Sequence, residues 1–401
     1  MSAGRPHPAV YMVLIIPFGL VTGFISVTLG YLLGNAGVKA EAVAALVAVS
    51  FIPQTWKFLW APVADLTLTR KRWYLLSAVF SALGLAMLGA IPPVAASLPL
   101  LSAVAFGASL ATTFLAMSVE SLMAYGTAPE EKGRAGGWFQ AGNLGGFGIG
   151  GGAALWIAEH VPQAWLPGAT LGAVCLACSV ALFFIDEPQK FERLPSVVGS
   201  VAQVLRDLWG VVRSRAGFLA LLICFLPIGT GAATNLWAAL AADWHASANT
   251  GALVTGALGG VASAFGCLVG GYWCDRMDRK KAYWVFGLAQ AACMIAMALS
   301  PRTEAVYIGY VLLYAFISGL TYAAFSAVVL EAMGLGAAAT KYNLFASLSN
   351  MPIAYMTLVD GSAHTRWGAS AMLWAEAAIG AVAVLFFMGM QLALSRPHGS
   401  R

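Results

Sequence analysis

Four ionisable side chains interrupt long apolar runs of this chain: Lys57, Glu120, Glu331 and Glu376. A charge set among apolar residues is costly, so such residues bind an ion, carry a proton or pair with one another. Lys57 lies three residues from the end of its run and Glu120 five from the end of its own, about 4.5 and 7.5 Å at helical rise. The Lys57 ammonium is near enough to the surface to snorkel. A pair would strand neither charge, whereas breaking a buried pair costs about 3–5 kcal/mol. We therefore expect Lys57 and Glu120 to meet directly, through one water, or through Asp65 or Arg72. Glu376 is placed where Arg366 can face it. Enzyme chemistry is not expected. His7, His160, His245, His364 and His398 fall in tails or loops, and there is no His-Glu-x-x-His or Gly-x-Ser-x-Gly. Acid–base and metal catalysis need such groups within hydrogen-bond reach. Cys175, Cys178, Cys224, Cys267, Cys274 and Cys293 read as small buried hydrophobes. No metal or cofactor is expected.

The elements that position these residues follow from composition. Of 401 residues, 60% are hydrophobic and 10% charged, against roughly 25% charged in soluble domains. Mean hydropathy is +0.79. A water-soluble particle is excluded, and the lipid bilayer becomes the first partner. Twelve apolar runs stand near 11–33, 42–60, 73–91, 98–125, 135–157, 165–185, 216–241, 251–273, 282–299, 306–333, 341–358 and 369–394. Each is long enough for a helix crossing a core of about 30 Å. The runs are too long and continuous for the alternating strands of a lipid-facing barrel. The fold class expected is an all-α polytopic membrane protein of 12 helices. Placing both termini in the cytoplasm puts 18 of the 22 Lys and Arg in inner segments and three in outer loops. That sorting obeys the positive-inside rule and accounts for the net charge of +5 without nucleic acid.

The runs form two sets of six. Asp65 stands between runs two and three, Asp275 between runs eight and nine, 210 residues apart; Glu120 and Glu331 are 211 apart. One offset thus maps acidic residues and run order together, as in transporters built from parallel repeats. The expected domains are an N-terminal bundle (1–185), a central cytoplasmic linker (186–215) and a C-terminal bundle with a short tail (216–401). In the linker, Val197, Val198, Val201, Val204, Leu205, Leu208 and Val212 share one face, which suits a helix lying on the membrane surface; a plain linker is the equal alternative.

Gly271-x-x-x-Asp275-Arg276-x-x-Arg279-Lys280 resembles the loop motif of the major facilitator superfamily, with Asp278 where Gly is usual and a more degenerate first copy at Ala61–Asp65. Within that superfamily, Lys57-Phe58-Leu59-Trp60-Ala61-Pro62-Val63-Ala64-Asp65 is similar to a segment of the AmpG muropeptide permeases and acetyl-CoA transporters. So are Ala339-Thr340-Lys341-Tyr342-Asn343-Leu344 and Pro129-Glu130-Glu131-Lys132-Gly133-Arg134. Many of these relatives carry Gln-Asp-Ile-x-x-Asp in span four, where this chain reads Leu115-Ala116-Met117-Ser118-Val119-Glu120. Siderophore permeases belong to the same group.

The resemblance implies a secondary transporter working by alternating access, with no ATP site. Its cargo would be a small organic solute such as a muropeptide, coenzyme A ester or siderophore. Protons are a candidate coupling partner, an uncoupled permease or exchanger is the alternative, and an intramembrane enzyme is a remote one. A functional monomer in a bacterial inner membrane is implied. Superfamily analogy assigns the cavity to spans one, four, seven and ten. Their mid-depth polar residues are Thr22, Thr112, Thr113, Thr230, Ser318, Thr321 and Tyr322, flanked by Gln140, Asn143, Asn235, Asn343 and Asn350. Trp56, Trp138, Trp237 and Tyr314 are candidates to stack on cargo. The same analogy makes Asp65, Arg72, Asp275, Arg276, Arg279 and Glu331 an inner latch, Asp65 pairing with Glu120 and Asp275 with Arg276 reaching Glu331. Gly146 in span five and Gly260 in span eight are expected on a close, sliding interface between the halves.

Overall fold

The computed structural model describes residues 6–187, 206, 209–333 and 338–395, which form helices joined by short irregular segments, with no strand among them. Among these residues, nine helices are long and apolar enough to cross a membrane. They are span 1 (Ala9–Asn35), span 2 (Ala42–Leu59), span 3 (Arg70–Ala90), span 4 (Ala95–Gly126), span 6 (Leu166–Phe184), span 8 (Asn249–Cys274), span 9 (Arg279–Leu299), span 10 (Glu304–Ala332) and span 12 (Ala369–Leu394). Three further spans complete the twelve. Span 5 covers 132–160, span 7 is a broken run over 215–244, and span 11 is Ala338–Leu348 followed by Asn350–Trp367. The linker face from Val197 to Leu208 lies outside the described residues. At the linker's start, the Glu187 carboxylate accepts from the Arg70 and Lys71 backbone N–H groups at 2.9 and 3.1 Å. It thereby satisfies otherwise orphaned donors at the start of span 3.

Span 7 breaks because Pro227, Gly229 and Gly231 fall within it; both glycines have positive φ, +56° and +70°, where a side chain would be strained. Backbone groups freed inside a membrane must find protein partners. Tyrosine hydroxyls supply several of them. Tyr283 donates to the Ile228 carbonyl at 3.1 Å and Tyr307 to the Trp237 carbonyl at 2.7 Å. Tyr355 donates to the Phe225 carbonyl at 2.8 Å, and the Ala233 N–H donates to the Tyr314 hydroxyl at 3.3 Å. Wider π-helical turns occur in span 1 (Phe24–Leu29) and span 5 (Ile149–Ala153) where the two spans touch. Thr28 Oγ1 donates to the Gly151 carbonyl at 2.9 Å, satisfying an acceptor that such a turn loosens.

Glycines set two close approaches on span 5. Gly142, Gly146 and Gly150 face span 1: a Cβ on Gly146 would lie 2.6 Å from the Ile16 carbonyl oxygen. Gly133, Gly137 and Gly148 face span 8: a Cβ on Gly137 would lie 2.5 Å from the Cys267 carbonyl oxygen, and one on Gly260 2.9 Å from Gly148 Cα. Gly260 thus occupies the expected contact between spans 5 and 8. Gly146 does not; it is one helix face away, because residues four apart share a face and 142, 146 and 150 form the other ladder. All six cysteines are buried free thiols.

Candidate functional site

The α-helix of span 2 ends at Thr55, and a single 3-10 turn, Lys57–Leu59, closes the span. This turn aims Lys57 inward rather than to the surface. The residue is 7% exposed, so it does not snorkel. Its Nζ stands 3.4 Å from Glu120 Oε1 on span 4, and both side chains are buried. The other carboxylate oxygen, Oε2, accepts from Asn343 Nδ2 of span 11 at 2.6 Å. A pair linking spans 2 and 4 is therefore tied to the last six spans through an amide. Burial makes it hard to break: stranding one charge costs about 3–5 kcal/mol.

Lys57 and Glu120 line a cavity of about 360 Å³ between the first and last six spans. Thr22, Gln140, Asn143, Asn235, Tyr322 and Asn350 also line it, as does Trp237. Sequence reasoning missed Gln54, which donates to Thr22 Oγ1 at 3.0 Å, and Tyr342, Thr255 and Ser263. Gln54 lies three residues before Lys57, and that nearness in sequence was the available signal. The remaining expected residues lie elsewhere. Thr112 and Thr113 donate to the Ser109 and Leu110 carbonyls at 2.8 and 2.7 Å, and Thr113 also accepts from Trp60 Nε1. Thr321 donates to the Ile317 carbonyl at 3.1 Å and Ser318 accepts from Gln290 at 3.0 Å. Back-bonding to the helix satisfies such hydroxyls without cargo. Thr230 accepts from the Ala232 N–H at 3.3 Å in the span 7 break. Asn343 is fully buried behind Glu120. Of the expected aromatics, Trp56 is half-exposed outside the cavity lining, Trp138 packs edge-on against His7, and Tyr314 donates to Glu376.

At the end bearing the basic loops, polar contacts bridge the two sets of spans. Asp275 caps the start of span 5, accepting from the Gly133 N–H at 2.7 Å and the Arg134 N–H at 3.1 Å. Asp65 accepts from the Thr340 N–H at 2.9 Å and its hydroxyl at 2.8 Å, near the start of span 11. A carboxylate at a helix N-terminus meets both free N–H groups and the positive end of the dipole. Lys132 Nζ donates to the Leu330 carbonyl at 2.7 Å, and Arg279 donates to the Pro129 carbonyl.

Several expected pairings differ. Asp65 does not pair with Glu120; an anion gains nothing beside another anion, and each finds donors on span 11. Arg276 lies over the Tyr272 ring, 3.4 Å from its centroid, instead of reaching Glu331. Glu331 is held by Arg279 at 3.0 Å and Lys280 at 2.8 Å. These residues lead span 9, whereas Arg276 precedes its N-cap, Asp278. The Arg72 side chain is exposed and makes no ion pair among the described residues. Glu376 accepts from Tyr314, not from Arg366. Asp360, two residues past the eleventh apolar run of the sequence, is fully buried within span 11.

The family model for the Major Facilitator Superfamily matches residues 11–357, so the chain belongs to that superfamily. It is 26% identical over 378 residues to the anhydromuropeptide permease of Escherichia coli (strain K12), covering 89% of this chain and 74% of that protein. Its fold is similar to the E. coli fucose:proton symporter (TM-score 0.73, 15% identity, 96% of this chain and 98% of the other). It is also similar to the human organic anion transporter MFSD10 (TM-score 0.71, 16% identity, 96% and 100%).

Proposed function

We propose that this membrane transporter is a proton-coupled carrier of a small organic solute of the anhydromuropeptide kind, working by alternating access. Two bundles, 1–185 and 216–401, joined by the 186–215 linker, would rock about the central cavity, both termini facing the cytoplasm of a bacterial inner membrane. The protein would act as a monomer. The observation that carries this reading is the cavity itself. Its volume falls in the usual range for small-molecule sites. Hydroxyls and amides from both sets of spans line it, which suits a sugar and its amide groups. It holds one buried ion pair, Lys57 with Glu120.

The Asn343–Glu120 bond crosses between the bundles and must part when they rock. A cargo carboxylate arriving at Lys57 would compete with Glu120 and loosen that tie. Alternating access then follows from differential affinity of the two states for cargo. The contacts at Asp65 and Asp275 hold the basic end shut until the tie parts. Counterflow in proteoliposomes tests the reading: protein preloaded with anhydromuropeptide should accelerate uptake of the labelled compound. No acceleration, with folded protein, rejects this cargo. Accelerated exchange that gains nothing from a pH gradient would favour the uncoupled permease.

A further inference from the structure

Two carboxyl groups outside this cavity lie buried together. Asp360 and Glu376 each stand eight residues from Gly368, whose positive φ of +84° turns span 11 into span 12. Antiparallel helices leaving one turn bring equally spaced residues to one depth, here about 12 Å from the turn. Spans 11 and 12 pack together, and the two carboxyls are near enough to interact electrostatically. Asp360 is fully buried and Glu376 is 7% exposed.

Their surroundings hold acceptors in excess. Glu376 Oε1 accepts from the Tyr314 hydroxyl of span 10. Both Asp360 oxygens and Glu376 Oε2 have no hydrogen-bond partner among the described residues. Gln290 of span 9, which is within hydrogen-bond reach of Tyr314, has an unpartnered Oε1. The other facing group on span 9 is the Cys293 thiol. Among the described residues no cation pairs with either acid. Arg302 donates to Ser370 and lies over Trp244, and Arg366 is exposed. Two adjacent ionised carboxylates without a paired cation are costly to bury. A carboxyl that takes up a proton becomes a donor to its neighbour, which satisfies several of these atoms at once.

We propose that Asp360 and Glu376 form a proton-binding carboxyl pair, separate from the cargo cavity, at which the proton gradient drives transport. The proposal rests on the transporter reading above. His364 lies one turn beyond Asp360 on the same helix face. Its half-buried ring meets Asp243 of span 7 at 2.6 Å, a route from the end of the bundle near Gly368. The coupling runs through Tyr314, whose hydroxyl touches both Glu376 and the Ala233 N–H in the span 7 break. The adjoining Thr234, Asn235 and Trp237 line the cavity. A proton leaving the pair changes what Tyr314 must bond to, and with it the seat of the broken segment.

The test uses the proton as probe. Infrared difference spectra of purified protein between neutral and alkaline buffer should show loss of a protonated-carboxyl band. Asp360→Asn and Glu376→Gln should each abolish that change, while Glu120→Gln keeps it. In proteoliposomes, both variants should retain anhydromuropeptide counterflow but lose accumulation above the equilibrium level under a pH gradient. A band that survives in both variants overturns the proposal. So does accumulation equal to that of the unmodified protein, or a band change driven by sodium at fixed pH. If the unmodified protein does not exchange anhydromuropeptide, the cargo reading fails and the infrared result alone decides the carboxyl pair.

Discussion

Replacing Glu120 by Gln removes one charge and keeps the shape, so it isolates what the ion pair contributes. At 3.4 Å and an effective dielectric of about 20, the attraction is on the order of 5 kcal/mol. That agrees with the loss of about 3–5 kcal/mol seen when one partner of a buried pair is stranded. Gln can still accept from Asn343, so the tie to span 11 survives and the penalty falls on Lys57. The double change Lys57→Met with Glu120→Gln strands nothing. Met fills much of the volume of the lysine stem, and such near-isosteric exchanges cost less than about 1.5 kcal/mol. The single variant should therefore unfold at a lower temperature than the double variant in the same detergent, with the unmodified protein highest. Counterflow should be lost in the double variant, which removes the Lys57 charge proposed to meet the cargo carboxylate. If Glu120→Gln melts at or above the double variant, Lys57 is not stranded and the argument from burial fails.

Gly260→Leu should abolish transport while leaving monodisperse protein, because the new side chain would press on Gly148 Cα across the interface; Gly256→Leu, with nothing within 4 Å, should transport normally. Gly146→Leu should instead lower the melting temperature, since its collision is with the span 1 backbone, and a yield equal to that of Gly260→Leu would argue against the two-ladder packing. Asp275→Asn should weaken the cap on span 5 and widen the basic end, read as longer distances between spin labels placed on the two loops; unchanged distances would remove the latch role. Residues 1–185 and 216–394 of an experimental structure should superpose with Asp65 over Asp275, and unrelated positions would defeat the repeat.

The sequence made the spans and the Lys57–Glu120 pair legible for one reason: lipid and low dielectric leave few options. An apolar run must be a helix, and two lone charges in one half at similar depth must find each other. What escaped depends on contacts between distant segments. Asn343 is 223 residues from Glu120, and nothing local marks it as the second partner. Asp360 was hidden because Asp360, Gly361, Ser362, His364 and Arg366 read as a loop. The helix continues through them because the carboxyl faces protein rather than lipid. Only their equal spacing about Gly368 linked Asp360 with Glu376. Gly146 went to the wrong neighbour because span 5 is rich in glycine on two faces, and composition does not say which face meets which helix. The run 216–241 reads as one continuous helix; it breaks at Pro227, Gly229 and Gly231, and the tyrosines that repair it come from three other spans.

The two equally spaced acidic pairs behave differently: the aspartates share a role and the glutamates do not. Asp65 and Asp275, 210 residues apart, do one job: each supplies acceptors to the start of a helix in the opposite set of spans. Glu120 and Glu331, 211 apart, have diverged. Glu331 is about one-third exposed and sits between Arg279 and Lys280, an arrangement whose pairs contribute about 0–1 kcal/mol each. Glu120 is buried, has a single lysine, and faces the cavity. A pair at the rim can be exchanged with little consequence, whereas a buried one is held until something replaces a partner. On this reading the symmetric aspartates close the basic end in both bundles alike. The asymmetric pair, present in one bundle alone, is the element that cargo can address, and the Asp360–Glu376 pair in the other bundle is the element that a proton can address.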